Sequence, residues 1–240
     1  MFTWYDTHLR NLKAELQNNV LFSRHWAALF WACFIASALM VSSGVDQSLA
    51  EFFLNPDHVF IWQRFRDFTN VGLAEPYFAL SLGAWLCGRY VPSFISSQAQ
   101  EPMQTHWQTL ARWGKLFLVS LITSGIAVHA LKFLVGRQRP HKSIEHTPFV
   151  FEPFNWHWHW QSFPSGHSQV MMVVAFWLSL LLPKHRKFIF SLALLVCFSR
   201  VGTGDHFLSD TIMGGVIGLL ISRWILTGDQ KNNQSSNESV

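Results

Sequence analysis

Lys132 and Arg139 lie seven residues apart, two helical turns along one face, in a segment that also holds Gly136 and Pro140. A straight helix would keep their Cα atoms about 10 Å apart. A helix that ends between Gly136 and Pro140 lets both cations turn toward one anion. The plainer reading is a lysine snorkelling at a membrane surface beside a loop arginine. A second segment, Pro164-Ser165-Gly166-His167, opens an apolar run. A Ser-Gly pair there offers free backbone N–H groups and the positive end of a helix dipole, a setting that suits phosphate. His167 in the first turn could pass a proton to a substrate oxygen, and the competing reading is an ordinary N-cap by Ser165. The third segment runs from Ser199-Arg200 through Gly202 and Gly204 to His206 and Asp210. His206 and Asp210 are i, i+4 neighbours. A carboxylate beside an imidazole fixes its tautomer and leaves the other nitrogen free to attack, unless the two are only a surface pair at a helix start.

The elements that must position these groups are membrane helices. Half of the 240 residues are hydrophobic, 13% are charged, and there are 22 Phe and 12 Trp. That is about half the charge of a soluble domain. The formal charge of +4 has no Lys/Arg stripe with interleaved aromatics behind it, which argues against a nucleic-acid partner. Six apolar runs approach the roughly 17–25 residues needed to cross a bilayer, near 26–43, 71–88, 115–135, 167–183, 187–203 and 209–226. The expected fold is all-α, a polytopic bundle of six transmembrane helices with short interfacial helices. An amphipathic segment at about 5–20 and the Phe/Trp-rich stretch 59–68 are expected to lie on the membrane surface. No early apolar core precedes the first run, so that run is expected to act as the targeting signal. Residues 1–228 form one membrane domain, and the polar tail 229–240 is expected to be disordered.

Six spans place eleven Lys/Arg on the side of both termini and seven on the other, and three of those seven are Lys132, Arg139 and Arg200. The remaining bias, eleven to four, puts both termini in the cytoplasm. Every candidate group then falls at the opposite membrane face. Three cations, two histidines, a carboxylate and a helix N-terminus make a constellation for phosphoryl transfer, in which the cations do what a metal ion does elsewhere. No acidic pair or His/Cys cluster with metal-ligand spacing accompanies it, so neither a metal nor another cofactor is expected.

Lys132-x6-Arg139-Pro140, Pro164-Ser165-Gly166-His167 and Ser199-Arg200-x5-His206-x3-Asp210 resemble the three signature motifs of the type 2 phosphatidic acid phosphatases, a family related to bacterial acid phosphatases and vanadium haloperoxidases. The resemblance implies a membrane-bound lipid phosphate phosphatase acting at the periplasmic face of a bacterial inner membrane. It implies that His206 attacks phosphorus to form a phosphohistidine while Asp210 orients it. His167 protonates the leaving oxygen and then helps activate water. Lys132, Arg139, Arg200, Ser165 and the Gly166 N–H bind the phosphate. Candidate substrates are lipid A 1-phosphate, phosphatidylglycerol phosphate, undecaprenyl diphosphate and phosphatidic acid. A lipid-to-lipid phosphotransferase, a haloperoxidase and a non-catalytic lipid-binding or transport protein are the alternatives.

Some features fall outside the motifs. The Trp156–Trp160 run, with His157 and His159, reads first as an aromatic anchor at headgroup depth, then as a grip on a sugar or lipid headgroup, and last as a metal site. His129 and Glu75 read as packing or helix-end residues. Gly214 and Gly218 read as a close helix contact. Cys33, Cys87 and Cys197 sit in apolar stretches without C-x-x-C spacing and read as packing residues.

Overall fold

A backbone surrounded by lipid has to satisfy its N–H and C=O groups within its own segment, which makes helices of the apolar runs. In the computed structural model, which describes residues 22–94 and 101–238, eight α-helices follow one another. They are α1 (Phe22–Ser42), α2 (Val45–Leu54), α3 (Val59–Thr69), α4 (Glu75–Phe94), α5 (Glu101–Val135), α6 (Gly166–Leu181), α7 (Arg186–Gly202) and α8 (Leu208–Glu238). No β-strand occurs among the described residues; an isolated antiparallel bridge joins Arg137 and Phe151. The all-α class expected from the sequence is therefore what the chain adopts.

Each of the six apolar runs overlaps one of the helices α1, α4, α5, α6, α7 and α8, although the second run begins at residue 71 and α4 only at Glu75. Among the described residues, three stretches are long and apolar enough to cross a membrane: His25–Ser42, Met103–Val135 and Leu208–Asn232. The apolar helix α6 is shorter, at 16 residues or about 24 Å. The Phe/Trp-rich stretch forms α3, whereas the amphipathic segment 5–20 lies outside the described residues. The tail departs from expectation, because α8 continues through the polar stretch to Glu238. A helix already nucleated by packing propagates cheaply into Gln, Lys and Glu. Arg112 of α5 holds Asp229 at the point where the polar stretch begins.

Helix α6 sits at the centre. Met171, Met172 and Ala175 pack on Ile189, Ala193, Val196 and Cys197 of α7. Val170, Val173, Phe176 and Trp177 face Leu121 of α5 and Leu226 of α8. The polar groups inside this packing are paired: Gln169 Nε2 donates to Ser124 Oγ at 2.6 Å, and Trp177 Nε1 to Ser120 Oγ at 3.1 Å. Gly214 and Gly218 let α8 come against the α6 backbone, as their spacing suggested. A Cβ on Gly214 would lie 2.2 Å from the Ser165 carbonyl oxygen, and one on Gly218 2.4 Å from that of Gln169. The outer helices show large apolar side chains instead, including Trp31, Phe34, Ile35 and Leu39 on α1.

Candidate active site

Helix α5 stops at Val135 because Gly136 takes the left-handed conformation, φ +58°, with the Glu152 carbonyl too close for any side chain. The chain then doubles back against the 148–154 segment, with Gln138 N donating to Val150 O at 2.9 Å. This turn brings Arg139 to the same cavity as Lys132. That cavity, about 540 Å³, is lined by Lys132, Arg139, Gly166, His167, Arg200 and His206 among others. Its apolar wall is formed by residues such as Phe78, Leu121, Ile122 and Ile126. Six of the eight sequence-predicted site residues therefore meet at one cavity.

The three cations are buried yet held by few anions. Lys132 Nζ donates to the Gln161 carbonyl at 2.5 Å. Arg139 Nε donates to the Trp158 carbonyl at 3.0 Å, and its guanidinium stacks on the Trp158 ring at 4.1 Å. Burial, followed by the charge of Arg200, lowers the Arg139 pKa to about 10 despite the opposing carboxylates. Arg200 Nη1 donates to Thr69 Oγ1 at 2.8 Å and Nη2 pairs with Asp205 at 2.7 Å, while its buried Nε meets no acceptor. A buried guanidinium with an unmet donor at a cavity wall suits an oxyanion.

His206 is 2% exposed. Its Nδ1 lies 2.6 Å from the Ser162 carbonyl oxygen, which can only accept, so Nδ1 carries the proton and Nε2 keeps the lone pair. Burial, then the charges of Arg139, Lys132 and Arg200, push its pKa well below the ordinary 6.5. The ring is neutral near pH 7. Asp210 stands behind it rather than against it, 3.9 Å from Nδ1. One Asp210 oxygen accepts from Ser162 Oγ at 2.5 Å and from the Phe207 N–H at 2.8 Å. The carboxylate thus fixes the segments on both sides of the imidazole. Ser165 is likewise behind the cavity: it is fully buried, and its hydroxyl caps α6 by accepting from Ser168 N at 3.4 Å and from Ser168 Oγ at 3.0 Å.

Four residues that carry the arrangement lay outside the motif reading. Arg137, 3% exposed, reaches Asp210 at 2.5 Å, Ser209 Oγ at 2.8 Å, Asp46 at 3.1 Å and the Pro148 carbonyl at 3.0 Å. Asp46, on α2, also accepts from the Ser209 N–H at 3.1 Å and from the Ser209 hydroxyl. Ser162 supplies both the carbonyl for His206 and the hydroxyl for Asp210. Asp205 pairs with Arg200 and stands 3.6 Å from Arg139. Burial favours its neutral form, but Arg200, His206 and Arg139 outweigh that and hold its carboxyl below the usual range. The available signal is a third basic residue, Arg137, inside the first motif segment. Of the aromatic loop, Trp158 joins the cavity wall, while Trp156 is 73% exposed and stacks on Phe133 at 4.2 Å. His129 and Glu75 also line the cavity. Among the described residues no group of three His, Cys, Asp or Glu side chains is placed to hold a metal ion.

The family model described as the PAP2 superfamily matches residues 113–234, about half of the chain and the whole stretch that carries the three motifs. The chain belongs to the PAP2 superfamily. A lipid A 1-phosphatase of Rhizobium etli is 33% identical over 44% of this chain and 45% of its own length. Phosphatidylglycerophosphatase B of Bacillus subtilis is 34% identical over 49% of this chain and 59% of its own. The chain therefore spans about half the length of these curated PAP2 relatives. In fold it resembles the crystal structure of a transmembrane PAP2-type phosphatidylglycerolphosphate phosphatase from Bacillus subtilis. The TM-score is 0.58 at 23% identity, covering 86% of this chain and 96% of that one.

Proposed function

We propose that this PAP2 protein is a multi-pass membrane enzyme that hydrolyses the phosphate ester of a membrane lipid through a phosphohistidine on His206. The observation that carries the reading is a buried imidazole whose Nδ1 lies 2.6 Å from Ser162 O, in a cavity lined by three buried basic side chains. Nε2 attacks phosphorus, and the bond from phosphorus to the lipid oxygen breaks as His167 gives that oxygen its proton. Water then attacks the phosphoimidazole, His167 takes the water's proton, and inorganic phosphate leaves with His206 restored. Lys132, Arg139, Arg200 and the Gly166 N–H bear the charge that develops on the phosphoryl oxygens. Ser165 and Asp210 serve from behind, through the cap of α6 and the mounting of His206. The chemistry requires no metal.

The substrate is a lipid whose phosphate reaches the cavity while its chains remain beside the apolar wall at Ile122 and Ile126. The names of the relatives put lipid A 1-phosphate and phosphatidylglycerol phosphate first, ahead of undecaprenyl diphosphate and phosphatidic acid. Six spans are supported by the six helices over the apolar runs, with the shorter α6 largely buried among the others and α7 presenting Phe188, Leu192, Leu194 and Leu195 outward as a lipid-facing side. The excess of Lys/Arg on the side of the termini supports cytoplasmic ends and a site facing the periplasm of a bacterial inner membrane. The test is phosphate release from a panel of lipid phosphates by the purified protein in detergent, with and without EDTA. His206→Ala should abolish release and the acid-labile, alkali-stable phosphoenzyme trapped from labelled substrate. Undiminished release by that variant would overturn the mechanism.

A further inference from the structure

Asp205 lies against two of the three basic side chains of the His206 cavity. One carboxylate oxygen is 2.7 Å from Arg200 Nη2 and also accepts from Thr203 Oγ1 at 3.0 Å, while the other is 3.6 Å from Arg139 Nη1. Both arginines also line the cavity that contains His206. On its other side the carboxylate borders a second cavity of about 430 Å³, lined also by Thr69, Asn70, His141 and Thr203. The two cavities share Trp158 and Arg200 as a common wall. The Asp205 side chain is 21% exposed, unlike Asp46 and Asp210, which are fully enclosed. It is thus the one carboxylate of the three that has room to turn.

We propose that Asp205 is an internal competitor for the phosphate site, occupying Arg139 and Arg200 until a phosphate group displaces it into the second cavity. This rests on reading the His206 cavity as the phosphate site. A dianion and a carboxylate cannot both lie against the same two guanidiniums without strong like-charge repulsion in so buried a place. Either anion excludes the other, and apparent phosphate affinity is the intrinsic affinity multiplied by the fraction of molecules in which the arginines are released. The consequence is largest for product. Three cations placed to stabilise a transition state also hold inorganic phosphate, and such uniform binding only delays turnover. A resident carboxylate that recaptures the arginines weakens that hold. Substrate has the further grip of its lipid chains, which inorganic phosphate lacks.

Titration of inorganic phosphate into the detergent-purified full chain, followed by calorimetry, tests this directly. Asp205→Asn removes the charge but keeps an acceptor for Arg200 and Thr203, so the arginines stay in place. Its phosphate Kd should fall at least about tenfold, and product inhibition should strengthen by the same factor. Asp205→Ser, an independent way to remove the charge, should give the same tightening if the amide variant does not fold. Unchanged or weaker phosphate binding in folded variants, with the parent still binding, overturns the role of Asp205 and leaves the phosphate site standing. No phosphate binding by the parent or either variant overturns the site reading and this proposal together.

Discussion

Replacing Arg137 by Leu tests whether the buried ionic cluster under His206 holds the site together. The guanidinium is 3% exposed and joins the carboxylates of Asp46 and Asp210, at 3.1 and 2.5 Å, while resting on the Phe207 ring at 4.2 Å. Leucine keeps much of the apolar contact but leaves two enclosed carboxylates without their cation. Breaking a buried pair by removing one partner typically costs about 3–5 kcal/mol. For a protein of this size that corresponds to a fall in Tm of roughly 6–20 °C. The assay is thermal unfolding in one detergent, with Asp46→Asn and the Asp46→Asn/Arg137→Leu pair measured alongside. The double variant should recover part of the loss, since one of the two stranded charges has gone. Activity should fall with stability, because Asp210 holds Ser162 and Phe207 on either side of the nucleophile. A Tm within about 2 °C of the parent would refute the reasoning, since it would mean that the carboxylates never depended on Arg137.

Two more expectations follow from the same geometry. His206 acts as a neutral base, and burial with its three neighbouring cations lowers its pKa, so the form that attacks persists below pH 6.5 and is lost only as pH falls further. The acid limb of kcat/KM should therefore lie below that value once the lipid phosphate's own ionisation, followed by 31P NMR, is divided out; a limb at or above 6.5 contradicts the assignment. Gly214→Ala puts a Cβ 2.2 Å from the carbonyl of Ser165, the residue two before His167, and should cost about 1–3 kcal/mol and lower kcat. Gly83→Ala on α4, with nothing within 4 Å of its Cβ, is the control that should fold and turn over like the parent, and equal behaviour of the two variants would discount the contact.

The parts of the site legible in the sequence are those that follow from local geometry. Lys132 and Arg139 could be paired because glycine and proline set the helix end between them, and Gly136 does end α5. Ser165 and Gly166 could be read as a helix start, and α6 begins there. The buried cluster was not legible, because its partners come from distant segments: Arg137 and Asp46 are 91 residues apart. Asp46 follows an apolar run with no spacing that relates it to any motif. Ser162 is silent in the sequence for a different reason. Its decisive group for His206 is a backbone carbonyl, which every residue has. In sequence Trp158 is indistinguishable from its neighbours in an aromatic anchor, and only the fold separates it, beneath Arg139, from the exposed Trp156.

The acceptor on Nδ1 bears on the chemistry as well as on orientation. A carboxylate in direct contact would fix the same tautomer, but it would also draw a proton onto Nε2 and raise the imidazole pKa. Here the contact is a neutral carbonyl at 2.6 Å, and the carboxylate at 3.9 Å is engaged by Arg137, Ser162 and Phe207. The tautomer is set without neutralising the field of Lys132, Arg139 and Arg200. Burial first, and then that field, keep Nε2 unprotonated at neutral pH, and in the proposed reaction the field draws a phosphate dianion to it. Asp210 is therefore a mounting group, and exchanging it for Asn should disturb how His206 is held more than whether it is protonated.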